Sequence, residues 1–425
     1  MMINFRSIFF AAFLLFSLSC IAQEEVRSYV QHNIVPITAI DPDSTDYSDL
    51  AAFGDAVGGS RVVMLGEQDH GDAATFLAKT RLIKYLHEKK GFNVLAFESD
   101  FFGLNQGWEM VVRGEESIDS VIKKSIYGLW SLCDGCQNLF YRYVPATLSS
   151  SAPLVIAGFD NQMTNLLLVK ALDSLIKALQ LPVAASGNYD SEILPELEHW
   201  ALHVKDSVLN NKYLGHLSLI KQQLKEKLPA GSFWLQLMDN LEAEDIEYTT
   251  LGIFAEWYSH MNTRDRQMAA NLKWLTETKY PNEKIIVWAH NYHIAKFGGP
   301  NSDEYFNKVR SMGTVYTSEE RLMAQTYVLG FTSYEGRTGR LYKGVQYKLP
   351  KPKADGFENW IGRDHSFAFV DFRKFNADNP GFRRDFYLAG GVKGNLYHTD
   401  VAARWNHFFD GVFFVRDMYP CKMVK

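Results

Sequence analysis

Short apolar runs that alternate with helical stretches constrain the fold of this chain more than any other feature. Arg61–Leu65 is a nearly unbroken apolar run ending at Gly66, a pattern typical of a buried parallel strand. A helix is predicted for Ala73–Lys90, where apolar residues recur at helical spacing until Gly91. The further predicted strands are Phe92–Phe97, Leu154–Phe159, Ile285–Ala289, Met323–Tyr334, Phe367–Phe372 and Gly411–Val415. This order predicts an α/β fold with a mainly parallel sheet wrapped by helices.

The interval from about Leu166 to Glu256 breaks this alternation. It is almost free of strand patterns and carries apolar residues at helical spacing, such as Leu217, Ile220 and Leu224. No linker rich in proline, glycine or serine separates the interval from its neighbours. We therefore expect a helical insertion, or cap subdomain, within one domain that spans residues 23–425.

The N-terminal residues 1–22 have the pattern of a signal peptide. Arg6 supplies a positive charge, and Ile8–Leu18 forms an apolar stretch too short to span a membrane as a stable helix. Cleavage is expected after Ala22. Leu18-Ser19-Cys20 also resembles the motif of a lipoprotein, which leaves a lipid anchor at Cys20 as an alternative. The chain is thus predicted to be exported to the periplasm or the extracellular space.

The charge and the cysteines narrow the classes of partner and site. The formal net charge of −5, with no basic stretch, argues against a nucleic-acid partner. Cys133 and Cys136 have the spacing of half a zinc site, but no second pair of ligands lies nearby. In an oxidising compartment we expect a disulfide instead, either between these two cysteines or from Cys421 to one of them.

Polar or ionisable groups follow the predicted core strands. In an open α/β sheet the ligand binds in the crevice beyond the carboxyl ends of the strands, so these groups should meet at one rim. His70 and Glu98 follow two strands that we expect to be neighbours, which predicts side chains within hydrogen-bonding reach or one water apart. The rim residues are Glu67 and His70 after the first strand, Glu98 after the second, Asp160 after the third, and His290 and His293 after the fourth.

A purely structural role is open to each member of this set taken singly. A carboxylate such as Asp160 often caps the next helix, and a histidine such as His293 often serves only as a hydrogen-bonded structural residue. Gly66 and Gly71 suggest a tight turn that lets a ligand approach the backbone, although an ordinary strand-to-helix turn also favours them. The interpretation as a site therefore depends on the whole set.

The set favours hydrolysis by an activated water molecule. The chain has no Gly-x-Ser-x-Gly elbow and no His-Glu-x-x-His helix, so a hydrolase serine and the common zinc-protease arrangement are both disfavoured. A histidine acting as general base, oriented by a carboxylate, remains. Nearby cations would stabilise the oxyanion and bind the substrate together with Asp160. The candidate cations are Arg264, Arg266 and Lys79.

Two alternatives use the same residues. Glu67, His70, Glu98, His290 and His293 are all competent ligands of a divalent metal, which would make the chain a metal-dependent hydrolase. A histidine-rich rim also suits a non-catalytic protein that captures a ligand in the periplasm. The interpretation that the whole set favours is a catalytic site without metal or cofactor.

A series of motifs resembles the erythromycin esterase family over about residues 49–415, in the family's order. These motifs are Gly66–Gly71 (Gly-Glu-Gln-Asp-His-Gly), Phe97-Glu98, Gly158-Phe159-Asp160, Arg264–Asn271 with Trp274, Trp288–His293 (Trp-Ala-His-Asn-Tyr-His), Met312-Gly313, Gly330-Phe331 and Phe409–Val412. The first and the fifth together are specific, far more than any one motif alone.

The resemblance implies an esterase-like hydrolase domain with an α/β core and a helical part over the cleft. It implies hydrolysis of the lactone ring of macrolides, and hence antibiotic resistance, with His70 as general base and a small-molecule ester or lactone as partner. Glu67, Glu98, His290 and His293 match positions that line that site. Asp69 departs from the family, which commonly has a small hydroxyl residue there, and the signal peptide is untypical of cytoplasmic resistance enzymes.

Overall fold

The computed structural model describes residues 24–163, 167–198, 207–250, 257–297, 303–341, 344–393 and 397–424. The predicted signal peptide, with Cys20, lies outside these residues. Within them, no helix is both long and apolar enough to cross a membrane.

A sheet of nine strands organises the described chain, and six consecutive strands in it are parallel. The strands are β1 (Val35–Ile37), β2 (Val62–Leu65), β3 (Phe92–Asp100), β4 (Val155–Asp160), β5 (Lys284–Trp288), β6 (Thr326–Thr338), β7 (Tyr347–Lys348), β8 (Phe367–Asp371), β9 (Phe386–Leu388), β10 (Val401–Ala403) and β11 (Gly411–Met418). Their order is β1-β8-β11-β6-β2-β5-β3-β4, with β7 beside β6, while β9 and β10 form a separate pair. The run from β11 to β4 is parallel. The predicted fold class and all seven predicted strands are confirmed.

The strand order corrects one expectation. β5 lies between β2 and β3, so His70 and Glu98 do not follow neighbouring strands. The chain order of strands does not reveal this, because β5 enters the sheet only after the helical insertion. β3 also runs on past Phe97, with a register irregularity before Asp100 that places Glu98 inside the strand rather than after it.

Helices cover both faces of the sheet. Ala73–Lys90 is helical with the predicted bounds and ends where Gly91 takes a left-handed conformation, at φ 71°. The α-helices of the described chain are α1 (24–32), α2 (Ala51–Val57), α3 (Ala73–Lys90), α4 (Phe101–Val112), α5 (Ile118–Ser125), α6 (Gly128–Ser131), α7 (Val144–Thr147), α8 (Leu168–Ala178), α9 (Leu194–Glu198), α10 (Ser207–Lys227), α11 (Phe233–Thr250), α12 (Trp257–Trp274), α13 (Asn291–Ile294), α14 (Glu304–Lys308), α15 (Met312–Tyr316), α16 (Glu320–Ala324), α17 (Phe357–Trp360), α18 (Phe372–Asp378) and α19 (Trp405–Phe408).

The central strand β2 shows why the sheet is covered on both faces. Its side chains alternate, so Val62 and Met64 join one hydrophobic core while Val63 and Leu65 join the other. The first core is packed against helices of the insertion and the C-terminal half, and the second against α2 and α3. All four residues are buried, which explains the unbroken apolar run in the sequence.

The predicted insertion is helical wherever the structure describes it. Residues 167–198 and 207–250 contain α8 to α11 and no strand. Leu217, Ile220 and Leu224 of α10 are fully buried, in the same core as β4 residue Phe159. The apolar stripe read from the sequence is thus the face by which this helical layer joins the sheet.

A disulfide joins Cys133 to Cys421, and Cys136 is a buried free thiol. Of the two predicted pairings, the bridge from Cys421 is the one that forms. It holds the segment after β11 against the region where the loop after β2 enters α3, since Cys421 N donates to Gly71 O and Ala73 N donates to Tyr419 O.

Candidate active site

Glu67 and His70 form a hydrogen-bonded pair in the loop between β2 and α3. Nδ1 of His70 lies 2.8 Å from Oε1 of Glu67. Because a carboxylate only accepts, the neutral imidazole carries its proton on Nδ1 and has a lone pair on Nε2. The His70 side chain is 13% exposed, and no residue of the described chain hydrogen-bonds to Nε2. This nitrogen is therefore open to water or substrate.

Two buried donors hold the Glu67 carboxylate in place. Lys79 Nζ donates to Oε2 at 2.7 Å, and Trp130 Nε1 donates to Oε1 at 3.0 Å. The Trp130 ring also packs edge-on against His70, with ring centroids 4.8 Å apart. Burial lowers the pKa of Lys79 to about 8, although Glu67 opposes this shift. Lys79 was predicted as a substrate-binding cation, but its side chain is 0% exposed, so it supports Glu67 instead.

The two glycines around His70 serve packing of protein against protein rather than a tight turn. Neither adopts a positive φ. A Cβ on Gly66 would lie 1.9 Å from Oδ1 of Asn291, and one on Gly71 would lie 2.3 Å from the carbonyl oxygen of Gly339. The loop can thus approach the end of β5 and the segment after β6 only because both side chains are absent.

Glu98 and His290 form the centre of the rim. Oε2 of Glu98 accepts from the backbone N–H of His290 at 2.7 Å. His290 Nε2 lies 2.7 Å from the carbonyl oxygen of Gln68, so this nitrogen carries the proton, while Nδ1 accepts from Tyr292 N. Burial, reinforced by His70, holds the pKa of His290 well below its usual value. His290 is therefore a neutral residue, 5.2 Å from His70 between ring centroids.

His293 is charged, in contrast to His290. Nδ1 lies 2.8 Å from Oδ1 of Asp265, and Nε2 lies 3.2 Å from Oε1 of Glu98. Burial alone would lower the pKa of His293, but Asp265 and Glu98 outweigh it and raise that pKa to about 10. Burial would raise the pKa of Glu98, but His293, with His70 and Arg264, holds that pKa well below its usual value. His293 is thus an imidazolium held between the carboxylates of Asp265 and Glu98.

Arg264 extends this network towards β4. Nε donates to Oδ1 of Asp160 at 3.0 Å, and Nη2 contacts Oδ2 at 2.5 Å and Glu98 Oε1 at 3.3 Å. Asp160 was predicted to bind the substrate, but its side chain is 0% exposed, so it positions Arg264 instead. Arg266, also predicted as a substrate-binding cation, is exposed and donates to Thr263. Positions two apart point to nearly opposite faces of a helix, so Arg266 cannot share the cleft with Arg264.

The helical insertion bounds the cleft beside β4. Glu247 of α11 accepts hydrogen bonds from Asn161 at 3.2 Å and from Gln162 at 2.9 Å. Glu244, one turn earlier, accepts from the backbone of Met163 at 3.3 Å. All three partners follow Asp160 directly, so α11 lies over the end of β4.

The segment around β9 bounds the opposite side. The side chain of Gln68 donates to Ala389 O, and Asn291 Nδ2 donates to Gly390 O at 2.8 Å. The ring of Tyr397 lies 5.9 Å from that of His290. This segment carried no recognisable pattern in the sequence, because β9 is only three residues long.

Most ring nitrogens of the site histidines are hydrogen-bonded to other protein groups. Both ring nitrogens of His290 and of His293 have such partners, which leaves Nε2 of His70 as the open histidine nitrogen of the five-residue set. Among the described residues, the group of potential ligand atoms that meets within 4.8 Å is Cys133, Asp134 and Cys421, whose two cysteines are bonded to each other.

The structure brings together Glu67, His70, Glu98, His290 and His293, with Arg264 and Asp160 adjoining them. It adds residues that the sequence interpretation missed, above all Trp130 and Asp265. Asp265 lies within the Arg264–Asn271 motif, next to Arg264 on α12. Its position in this motif could have identified it as a candidate site residue. Trp130 carried no signal, because its contact with Glu67 spans 63 residues of chain.

The sequence profile of the erythromycin esterase family matches residues 87–418. The chain belongs to this family. One relative is YbfO of Bacillus subtilis (strain 168), named as a presumed hydrolase, at 26% identity over 97% of this chain and 96% of YbfO. Another is the type II erythromycin esterase of Escherichia coli, at 24% identity over 83% of this chain and 90% of that protein.

Solved structures share the fold across nearly the whole chain. A Bacillus cereus protein has a TM-score of 0.75 at 19% identity, covering 95% of this chain and 99% of its own. A mutant of the erythromycin esterase EreC in its open conformation has a TM-score of 0.68 at 16% identity, covering 92% and 99%. These likenesses concern the fold, whereas membership of the family supports a hydrolase with a small-molecule substrate.

Proposed function

We propose that this protein is an exported hydrolase of carboxylic esters, lactones included, which uses His70 to activate a water molecule. The observation that carries the proposal is the Glu67–His70 pair, in which Nδ1 is bound and Nε2 is open. This is the arrangement that a general base requires, since the carboxylate holds the tautomer and stabilises the imidazolium that forms.

The reaction begins when Nε2 of His70 removes a proton from water. The resulting hydroxide attacks the carbonyl carbon of the ester, and the carbonyl oxygen becomes an oxyanion. When the tetrahedral intermediate collapses, the carbon–oxygen bond to the leaving group breaks. His70 then returns its proton to the leaving alkoxide, so that an acid and an alcohol are formed and the base is regenerated.

Arg264 is the residue best suited to stabilise the oxyanion. Its Nε and Nη2 are bound by Asp160 and Glu98. Its Nη1 lies 3.5 Å from Nε2 of His293, which as an imidazolium offers no acceptor. Nη1 therefore has donor capacity left, next to a second positive charge. Such fixed cations in a site with little water stabilise a developing negative charge strongly.

The relatives named as erythromycin esterases make a macrocyclic lactone one candidate substrate, and macrolide resistance one candidate role. We propose the wider class of esters and lactones, because Asp69 and Arg340 give the rim beside His70 a charged pair. The alternatives of a metal-dependent hydrolase and a non-catalytic binding protein remain outcomes of the experiment below.

The test is a hydrolysis screen of macrolides, small lactones and acyclic esters by the wild type and His70→Gln. We expect turnover of at least one class and a loss of about 10²–10⁴-fold in kcat for the variant. His32→Gln is a matched control, because His32 is exposed and, within the described residues, its side chain hydrogen-bonds to Ser28. Activity that EDTA abolishes and zinc restores would establish the metal-dependent alternative. Binding of these compounds without any turnover would establish the binding protein.

A further inference from the structure

A guanidinium with unused donors lies beside the loop that carries His70. Arg340, in the segment after β6, donates from Nε to Oδ1 of Asp69 at 2.6 Å. Its guanidinium carbon lies 4.8 Å from the ring centroid of Tyr397, in cation–π contact. Within the described chain neither of its Nη atoms has a hydrogen-bond acceptor. The guanidinium is thus held by Asp69 through Nε and stacked on the Tyr397 ring, and within the described residues its two Nη atoms keep their donor capacity.

The exposure of Arg340 distinguishes it from the other cations of the site. The side chains of Lys79 and Arg264 are 0% and 10% exposed and are paired with carboxylates of the rim. That of Arg340 is 20% exposed. The ring of Tyr397, on which Arg340 stacks, lies 5.9 Å from that of His290. Arg340 therefore stands at the mouth of the cleft, where a part of the substrate other than the reacting ester would lie.

Asp69 does not fully neutralise the positive charge of Arg340, because Asp69 is shared with other donors. Asp69 also accepts from the backbone N–H of His70 at 2.8 Å and from the hydroxyl of Tyr347 at 3.1 Å. Burial would raise the pKa of Asp69, but Arg340 and His70 lower it below its usual value, so the group is a carboxylate with three donors. A carboxylate this well solvated by the protein leaves the far edge of the guanidinium electrostatically positive.

We propose that Arg340 binds a carboxylate of the substrate, so that the preferred substrates are esters or lactones that carry a second, free acid group. A guanidinium offers two parallel N–H donors to a carboxylate, which gives both affinity and orientation. The substrate would thereby be held with its ester towards His70. This inference rests on the proposed hydrolase function and adds to it a substrate class.

The experiment compares matched esters. Para-nitrophenyl monoesters of dicarboxylic acids of increasing chain length are assayed beside uncharged para-nitrophenyl alkanoates of equal length. We expect the wild type to prefer one charged ester by about tenfold to hundredfold in kcat/KM, mainly through KM. Arg340→Gln should abolish that ratio, and Arg340→Lys should retain part of it, because lysine keeps the charge without the fork. Arg266→Gln, which removes an exposed arginine outside the cleft, should leave the ratio unchanged.

Binding separates this inference from the proposed function. The corresponding para-nitroanilides, which resist hydrolysis, are titrated by calorimetry against the wild type, Arg340→Gln and Arg266→Gln. Tighter binding of the charged anilide that depends on Arg340, without turnover of any ester, would refute the hydrolase and sustain the anion site. Hydrolysis of uncharged esters with no preference for charged ones would support the hydrolase and refute the anion site at Arg340. A preference that persists in Arg340→Gln, or an equal loss on both ester series, also overturns the role of Arg340.

Discussion

Nζ of Lys79 lies 2.7 Å from Oε2 of Glu67, and neither side chain is exposed to solvent. The ammonium therefore supports Glu67, which in turn binds His70, and it also lies 3.4 Å from the carbonyl oxygen of Ala289, the residue before His290. A residue that cannot touch a substrate should then be as sensitive to substitution as one that can.

Lys79→Met tests this relationship. The substitution leaves Glu67 as a buried carboxylate without its cation, and breaking a buried pair in this way costs about 3–5 kcal/mol. We expect the free energy of unfolding to fall by that order and kcat to fall with it, measured by urea denaturation and ester hydrolysis. The double variant Lys79→Met/Glu67→Gln should recover part of the stability but none of the activity. Equal stability of Lys79→Met and the wild type would contradict the pairing.

Glu67→Gln should reduce kcat about 10²–10⁴-fold with little change in KM. An amide can donate to Nδ1 of His70, which favours the tautomer with its proton on Nε2 and so removes the base. Steady-state kinetics at several pH values measure this effect. Glu335→Gln, at an exposed carboxylate, is the control for loss of a negative charge. A loss confined to KM would mean that Glu67 contacts the substrate instead.

His293→Gln should change how stability depends on pH. The pKa of His293 is raised to about 10 in the folded protein, above the ordinary 6.5. Its contribution to stability is therefore fully present below pH 6.5 and is lost as the pH rises through 10. We expect the free energy of unfolding of the wild type to exceed that of the variant by a few kcal/mol at pH 6. A pKa difference of one between the folded and unfolded states corresponds to about 1.4 kcal/mol. Urea unfolding at pH 6 and pH 10 measures the difference, and a difference that does not vary with pH would contradict a charged His293.

Glu358→Gln should change the pH dependence of stability in the same direction as His293→Gln, but over a lower pH range. Burial, followed by the charge of Asp400, raises the pKa of Glu358 to about 7, although hydrogen bonds from Thr332 and Ala389 oppose this. Stability is thus full below the ordinary pKa of 4.5 and is lost as the pH rises through 7. At pH 8 the variant should gain up to about 3 kcal/mol relative to the wild type, compared with pH 5. Thermal unfolding at both pH values measures this, and parallel curves would exclude it.

Gly71→Ala should displace the segment that carries Arg340. The new Cβ would lie 2.3 Å from the carbonyl oxygen of Gly339, a contact that only a backbone shift relieves. Overpacking of this kind costs about 1–3 kcal/mol, and the shift should also lower activity because His70 precedes Gly71. Gly59→Ala is the matched control, since a Cβ there meets nothing within 4 Å. Both are compared by urea denaturation and hydrolysis, and equal behaviour would show that the loop adapts freely.

The parts of the site that the sequence predicted are those tied to single strands. A parallel strand reads as an unbroken apolar run, and the residues at its carboxyl end share one rim whatever the strand order. For this reason the five site residues Glu67, His70, Glu98, His290 and His293 could be grouped, although β2 and β3 were wrongly predicted to be neighbouring strands. The helix bounds of α3 followed in the same way from its apolar period and Gly91.

The remainder depends on contacts between distant parts of the chain. Arg340 meets Asp69 across 271 residues, and the three-residue β9 has no periodicity to detect. Burial also cannot be read from residue type, so nothing in the sequence indicated that the candidate cation Lys79 is buried. Arg266 was an avoidable error, since its spacing from Arg264 already excluded a shared face.

The disulfide between Cys133 and Cys421 has a consequence for the biosynthesis of the protein. The two cysteines are 288 residues apart, and Cys421 N donates to the carbonyl oxygen of Gly71, immediately after His70. The loop that carries His70 is thus held in place by a segment that is translated long after it. A nascent chain that has already exposed Glu67 and His70 lacks this fastening until residue 421 has been made, so we expect the hydrolytic centre to mature only after translation has passed that residue.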